Sequence, residues 1–178
     1  MPDSYLKSIL EDDQSRENRD KMLDYIESNP DKMSELMYFF LNEDLHWRYN
    51  QRAAWPIGIL GRKYPELIEP YLPEMIAQLG HGRHDAIHRN IVRILEEVPV
   101  PEELEGALYD KCFKFLNDPD EPIAVRVFSM TVLFNIAKKH PEMLDELKQT
   151  IEMYMPHGSG GFKNRGGKII AAIRKMNS

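Results

Sequence analysis

The segment Asn117–Arg126 reads NDPDEPIAVR and decides the fold. It begins with an acidic, Pro-containing turn and ends in an apolar run, which is typical of the junction between two helices. Arg126 stands eight residues after Asp118, where the apolar run begins. An arginine that follows a polar turn and enters an apolar helix needs a structural explanation. The rest of the chain provides it, because the same arrangement is repeated.

The same arrangement occurs four times along the chain. The arginines lie 37, 37 and 39 residues apart and each opens an apolar segment: Arg52, Arg89, Arg126 and Arg165. Eight residues before them stand, in order, Asp44, His81, Asp118 and His157. A second series consists of a Pro followed by an acid, at intervals of 35, 36 and 40 residues: Pro30, Pro65, Pro101 and Pro141. Pro at the first helical position with an acid after it favours a helix start.

Apolar residues recur after each of these prolines at helical spacing. Three residues after them stand Met33, Ile68, Leu104 and Leu144, so one apolar stripe is repeated four times. The chain has no sustained apolar/polar alternation and no Asn-Gly or Asp-Gly hairpin turn. Self-similarity at a fixed period of this length predicts an all-α protein built from stacked helix pairs.

The acid-Pro turn that leads into Val-Arg and an Ala/Leu-rich helix resembles HEAT repeats over about residues 16–176. The resemblance implies a short right-handed α-α superhelix of about four and a half HEAT-like helix pairs, with an N-terminal cap helix over residues 3–12. It also implies that each turn acid pairs with the helix arginine, in a ladder that ties neighbouring repeats together. We therefore expect one HEAT-like repeat domain, residues 1–178.

The composition excludes several classes of protein. Of the 178 residues, 42% are hydrophobic, but no apolar run approaches the roughly 18 residues of a membrane span. The chain does not start with a basic segment followed by an apolar one, so no signal peptide is expected. The lone cysteine, Cys112, allows no internal disulfide and falls in the apolar stripe, where we expect a core residue. A cytoplasmic location is expected.

Charge is distributed unevenly along the chain. The formal net charge is −6, yet residues 156–178 hold five basic and no acidic side chains. This tail contains the candidate anion-binding residues, which are Lys163, Arg165 and Lys168. The rest of the chain is acidic and repels a phosphate backbone, so nucleic-acid binding is an alternative and not the main expectation.

A mostly polar column accompanies the apolar stripe, four and eight residues after the prolines and on the opposite helix face. In HEAT-like stacks the second helix of each pair lines the concave surface, so this column is expected to border an acidic groove. The candidate partner-binding residues are Tyr38, Glu69, Glu105, Tyr109, Asp145 and Gln149. A groove edged with carboxylates fits a basic or amphipathic segment of a protein partner.

Three histidines lie close together in the sequence, and two of them, His84 and His88, are one helical turn apart. That spacing suits a shared metal ion. However, the HExxH pattern is missing and no third ligand is evident. His81 is also suited to capping a helix. A surface turn is the preferred interpretation, and no metal or other cofactor is expected.

Two further resemblances point to enzymes. Trp47, Tyr49 and Trp55 resemble the aromatic residues that HEAT-like DNA alkylation-repair glycosylases place on a concave face. Basic residues are not interleaved with these aromatic residues along successive helices, as a nucleic-acid-binding surface requires. A role in alkylation repair is therefore kept as an alternative.

The segment Met155–Lys168, MPHGSGGFKNRGGK, is similar to the flexible signature loop of the fumarase/aspartase superfamily, which includes adenylosuccinate lyase. The matching residues are Met155, Pro156, Lys163 and Asn164. The paired serines that precede the Met in that family are missing, and the Lys-Asn pair comes later than the family pattern has it. A Gly-rich connector before the last helix is the preferred interpretation.

The fold and the polar column together predict a non-enzymatic adaptor that binds a protein or peptide through a concave, acidic groove. Stacked repeats offer a long concave surface and few deep pockets, which suits this role. A nucleic-acid-binding or alkylation-repair protein and a lyase are the alternatives. No residue is assigned a catalytic role, and the fold alone does not identify the partner.

Overall fold

The computed structural model describes residues 4–80 and 84–176. In that part of the chain it contains ten α-helices, four short 3-10 helices and no strand, which confirms the all-α prediction. The α-helices are α1 (Tyr5–Glu11), α2 (Arg16–Ser28), α3 (Met33–Leu41), α4 (Trp47–Lys63), α5 (Leu72–Ala77), α6 (Asp85–Leu95), α7 (Glu102–Asn117), α8 (Ile123–Ala137), α9 (Leu144–Tyr154) and α10 (Gly160–Met176). No helix within the described residues has the length and apolarity that crossing a lipid bilayer requires.

The chain divides into two compact units, Met1–Val100 and Pro101–Ser178. In the first unit α1 packs on α2 and α4, α3 packs on α4, and α4 packs on α6. In the second unit α7 packs on α8, and α10 packs on both α8 and α9. Helices that are neighbours in the sequence are thus neighbours in space, as expected for helix pairs, and α1 lies within the predicted cap helix. That residues 1–178 form a single domain stays a prediction.

Three of the four predicted Pro starts are 3-10 turns that lead into a second helix: Pro30–Lys32, Pro65–Leu67 and Pro141–Met143. The fourth start differs. α7 begins at Glu102 directly after Pro101, which is its N-cap residue, with no 3-10 turn before it. Because of this difference, residues of α7 at a given distance from its proline face a different side of the helix than the corresponding residues of α3 and α9.

Each unit has its own apolar core. Fully buried side chains of the first unit include Leu36, Phe40, Ile57, Leu60 and Met75, and those of the second include Leu108, Leu133, Leu147, Ile151 and Phe162. Cys112 is also fully buried, which confirms the expected core position. Burial raises the pKa of its thiol to about 12, so the sulfur is protonated and unreactive at neutral pH.

Arg126 answers the question that its position in the sequence raises. Its Nε and Nη2 atoms donate to the carbonyl oxygen of Leu116, at 3.2 and 2.9 Å. The last carbonyls of a helix have no partner within it, so the guanidinium closes the end of α7. The expected pairing with the turn acid is wrong here, because the Asp118 carboxylate accepts from the backbone N–H of Asp120 instead.

The Arg126 guanidinium is also held between two aromatic rings. Its Cζ atom lies 4.7 Å from the centroid of Tyr154 and 5.1 Å from that of Phe162. The Tyr154 hydroxyl donates to the carbonyl oxygen of Asn117 at 2.8 Å. One buried side chain therefore joins the end of α7, the end of α9 and the start of α10.

In the first unit an asparagine takes the equivalent place. Asn50 Nδ2 donates to the Phe40 carbonyl oxygen at 2.9 Å, ten residues back, and Arg126 likewise reaches ten residues back to Leu116. Arg52, the predicted counterpart, donates to the Leu10 carbonyl oxygen and not to Asp44. Arg52 and Arg126 are therefore structural, as expected, but their partners are helix-end carbonyls.

Candidate functional site

The acidic groove, as we name it, lies in the first unit between α3 and α5 and has a volume of about 830 Å³. Its lining residues are Ser34, Met37, Tyr38, Leu41, Asn42, Glu43, Asp44, Tyr71, Glu74, Ala77 and Gln78. The turn after α3 supplies two of its carboxylates and α5 supplies the third. None of these lining residues is basic, so the groove carries a concentrated negative charge.

Tyr38 is the predicted partner-binding residue that lines this groove. Its side chain is 37% exposed, which is unusual for so large a ring. The ring meets Phe39 edge to face at a centroid distance of 5.5 Å. Phe39 is buried and stacks in turn on Tyr49. Tyr38 thus offers an apolar ring face and a hydroxyl from a fixed position.

Gln78 holds the two walls of the groove together. Its Nε2 atom donates to the Leu41 carbonyl oxygen at 2.6 Å, which ties the residue after α5 to the end of α3. The side chain is 5% exposed, and its Oε1 atom has no hydrogen-bond partner among the described residues. An unmatched buried acceptor costs roughly 1–3 kcal/mol. Gln78 therefore keeps one buried acceptor without a partner among the described residues, beside an anionic groove.

The other predicted partner-binding residues do not join Tyr38. Glu69 is exposed in the 3-10 turn Glu69–Tyr71 but does not line the groove. Asp145 and Gln149 are both exposed on α9, in the second unit. Partner binding by these three residues stays a prediction.

Glu105 and Tyr109 are buried, at 3% and 7% exposure, so the expectation that they lie on an exposed face is wrong. A residue advances about 120° around a 3-10 helix and about 100° around an α-helix. Because α7 lacks the three-residue 3-10 turn that precedes α3 and α9, its positions are rotated by about 60° relative to theirs. Ala107, six residues after Pro101, is accordingly exposed, whereas Leu36 and Leu147 at the same distance from Pro30 and Pro141 are fully buried.

Glu105 is the centre of a charged cluster in the second unit. Lys139 forms an ion pair with its Oε1 atom, and His140 Nε2 lies 3.2 Å from Oε2. Burial opposes ionisation of this carboxyl, but the hydrogen bonds and positive charges of Lys139 and His140 outweigh it and lower its pKa. This cluster ties α7 to the segment after α8 and leaves the carboxylate without access to a partner.

Tyr109 shares the buried face of α7 with Glu105. Its hydroxyl has no hydrogen-bond partner among the described residues. Burial, with a smaller effect from the Glu146 carboxylate, raises the pKa of Tyr109 to about 12. The ring stacks on Phe113 at a centroid distance of 5.8 Å.

The basic tail is largely helical. Residues 160–168, which the sequence suggested were part of a connector, form the first turns of α10, and Ser159 Oγ accepts from the backbone N–H of Phe162 at 3.2 Å. Arg165 donates to the Thr131 hydroxyl on α8, whereas Lys163 and Lys168 are exposed. From Gly160 onward, the flexible loop that the lyase resemblance implies is therefore replaced by a helix. Anion binding by the three cations stays a prediction.

His84 and His88 have structural partners. His84 Nδ1 accepts from the backbone N–H of Ala86 at the start of α6, and its ring stacks on Trp47 with centroids 4.6 Å apart. His88 is buried, and its Nε2 atom accepts from the Gly80 backbone N–H at 3.3 Å. His81 lies outside the described residues. Within the described part of the chain, no group of three or more His, Cys, Asp or Glu side chains is placed to hold a metal ion.

Three groove carboxylates escaped the sequence-based prediction: Glu43, Asp44 and Glu74. Two of them follow α3 in the turn, where only Asp44 drew attention as a possible ladder acid. Glu74 stands one residue beyond the position eight residues after Pro65. Acidic residues do lie near the termini of the second helices in the sequence. The predicted column used only positions at fixed distances from the prolines, and so it missed these acids.

These features define the class: an all-α protein whose sequence-neighbouring helices pack in pairs and leave polar grooves at their surface. The chain belongs to the HEAT repeat family, because the family model described as HEAT repeat domain matches residues 6–173. No curated protein and no solved structure matches the chain. The family identifies a helical repeat scaffold, of a kind often involved in protein interactions.

Proposed function

We propose that this chain is a non-enzymatic adaptor that binds a basic segment of a protein partner in the acidic groove. The observation that carries the proposal is the composition of the lining: three carboxylates, two tyrosines and no basic residue. Lys or Arg side chains of the partner pair with Glu43, Asp44 and Glu74, while an apolar residue beside them packs on Tyr38.

The geometry of the groove favours an extended or helical segment over a small molecule. The groove is open to solvent along α3, α5 and the turn after α3, and does not enclose a ligand as a cavity would. An open surface of this kind buries a peptide along its length. Charge complementarity then provides orientation and selectivity, with a dependence on ionic strength.

The proposal is tested by selecting random peptides displayed on phage with the purified protein. We expect the enriched peptides to combine Lys or Arg with an adjacent apolar residue. One synthetic peptide from the selection is then measured by calorimetry against the native protein and against the variant Asp44→Lys/Glu74→Lys, which should bind at least about tenfold more weakly. Asp110→Lys, an exposed charge reversal on α7, is the matched control and should leave affinity unchanged.

Enriched peptides without basic residues, or equal affinity for the groove variant and the native protein, would refute the groove as the binding site. Circular dichroism of each variant checks that its helices are intact. Both substituted carboxylates line an open surface, so the fold is expected to survive their reversal.

A further inference from the structure

A second cleft lies in the first unit, between α4 and α6, and has the opposite charge. Its volume is about 380 Å³, and three arginines line it: Arg62 from α4, with Arg89 and Arg93 from α6. Glu97 is the one carboxylate among the lining residues. The chain as a whole carries a net charge of −6, whereas this arginine cleft is locally positive.

The three arginines are unequally satisfied. Arg62 forms an ion pair with Glu97. Arg89 Nη2 lies 3.5 Å from Gln51 Oε1, at the outer limit of a hydrogen bond. Arg93 is exposed and makes no hydrogen bond or ion pair with the described residues. Because Arg89 and Arg93 are one helical turn apart, their like charges repel each other. The cleft carboxylate, Glu97, pairs with Arg62 and with neither of them.

The walls of the cleft are fixed by buried amides. Asn90 is 7% exposed, and its Nδ2 atom donates to Asn50 Oδ1 at 2.8 Å, which joins α6 to α4. Asn50 is itself held by the Phe40 carbonyl oxygen. Gln51 donates to Gln14 Oε1 at 3.2 Å and so keeps its own oxygen directed toward Arg89. The Arg89 guanidinium is therefore placed before any ligand arrives, which reduces the entropic cost of binding.

We propose that the arginine cleft binds a phosphate-bearing small molecule, with Arg89 and Arg93 donating to the phosphate. Arginine presents paired N–H donors that match phosphate oxygens. A phosphate monoester carries about −1.5 to −2 charges at neutral pH, which two uncompensated guanidinium groups balance. The volume falls within the range of about 300–1,000 Å³ that is usual for small-ligand sites.

Trp55 provides the surface for the organic part of the ligand. Trp55 lines the cleft and is partly exposed, while Arg19 occupies one face of its ring with Cζ 4.4 Å from the centroid. The ligand packs on the part of the ring that Arg19 leaves open. The Glu97 carboxylate already occupies Arg62 in the ligand-free cleft. A phosphate bound in the cleft lies near the negative Glu97 carboxylate. The repulsion between the two lowers the affinity for phosphate.

The test uses calorimetry at low ionic strength with adenosine monophosphate, inorganic phosphate and uncharged adenosine. We expect the two phosphates to bind and adenosine to bind far more weakly. Arg93→Ala should weaken adenosine monophosphate at least about tenfold, and Glu97→Gln should strengthen it a few-fold, roughly threefold. Arg16→Ala removes an exposed charge outside the cleft lining and should change nothing.

Tighter ligand binding by Glu97→Gln distinguishes a ligand site from a merely structural charge cluster. In a structural cluster the substitution would only lower the stability of the fold. The proposal is overturned if neither phosphate binds, or if Arg93→Ala binds as well as the native protein. It is also overturned if a single-stranded oligonucleotide binds while both small phosphates do not, because the surface would then recognise a polyanion. Peptide binding in the acidic groove involves other residues and succeeds or fails independently.

Discussion

At the scale of single residues, two adjacent glycines of α10 have opposite surroundings. A Cβ atom on Gly166 would lie 2.8 Å from Ile151 Cγ2 and 3.0 Å from Met155 Sδ. A Cβ atom on Gly167 would have no neighbour within 4 Å. Gly166 therefore allows close packing of α10 on α9, while Gly167 only weakens the helix.

We predict that Gly166→Ala lowers the free energy of unfolding by about 1–3 kcal/mol, because Ile151 is fully buried and has no room to move. Gly167→Ala should raise it by about 0.5–1 kcal/mol through improved helix propensity. Urea denaturation followed by circular dichroism measures both. Equal effects of the two substitutions would contradict the packing argument.

Glu105 makes stability depend on pH in a definite direction. Its pKa is lowered from the ordinary value of 4.5, so the folded protein favours the ionised carboxyl more than the unfolded chain does. The resulting stabilisation is complete above the unfolded pKa and is lost as pH falls through the folded pKa. Glu105→Gln should therefore cost about 1–2 kcal/mol at neutral pH, with the difference shrinking below about pH 4.5.

The measurement is urea denaturation of the native protein and the variant between neutral pH and about pH 3. Glu142→Gln removes an exposed carboxyl of the same unit and serves as the control. A difference between Glu105→Gln and native protein that stays constant over this range would show that the carboxylate charge is not the cause.

At the scale of helices, the sequence predicted where the helices lie along the chain better than it predicted which of their faces are buried and which residues they contact. The Pro-acid starts and apolar stripes located the second helices, because both signals are local. The burial of Glu105 depended on whether a 3-10 turn precedes α7, which a Pro alone does not determine. Asn50 and Arg126 cap equivalent helix ends with different side chains, so matching arginines in the sequence did not align equivalent atoms.

Arg126 should be among the most sensitive positions of the second unit. Arg126→Ala leaves the Leu116 carbonyl without its donor and removes the guanidinium that contacts both the Tyr154 and the Phe162 ring. We therefore expect the free energy of unfolding to fall by about 2–3 kcal/mol. Arg126→Lys should not restore stability fully, since an ammonium group lacks the planar fork that stacks between the rings. Thermal and urea unfolding compare these variants with Arg174→Ala, an exposed substitution expected to cost under about 0.5 kcal/mol.

At the scale of the whole molecule, the single-domain prediction is open to a spectroscopic test. Both tryptophans, Trp47 and Trp55, belong to the first unit, whereas both units contribute to helical circular dichroism. If residues 1–178 unfold as one domain, Gly166→Ala in the second unit shifts the tryptophan fluorescence midpoint as much as the circular dichroism midpoint. A fluorescence midpoint that stays in place would instead mean two independently unfolding units.

The equal reach of the Asn50 and Arg126 side chains restricts where the chain tolerates insertions. Each donates to a carbonyl ten residues back, across a turn of fixed length. One additional residue in that turn would carry the donor about 100° around its helix and away from its acceptor. Insertions and deletions should therefore be tolerated within a helix pair, in the connection to its second helix, and not in the turn that leads to the next pair; the proline intervals of 35, 36 and 40 residues already vary in length.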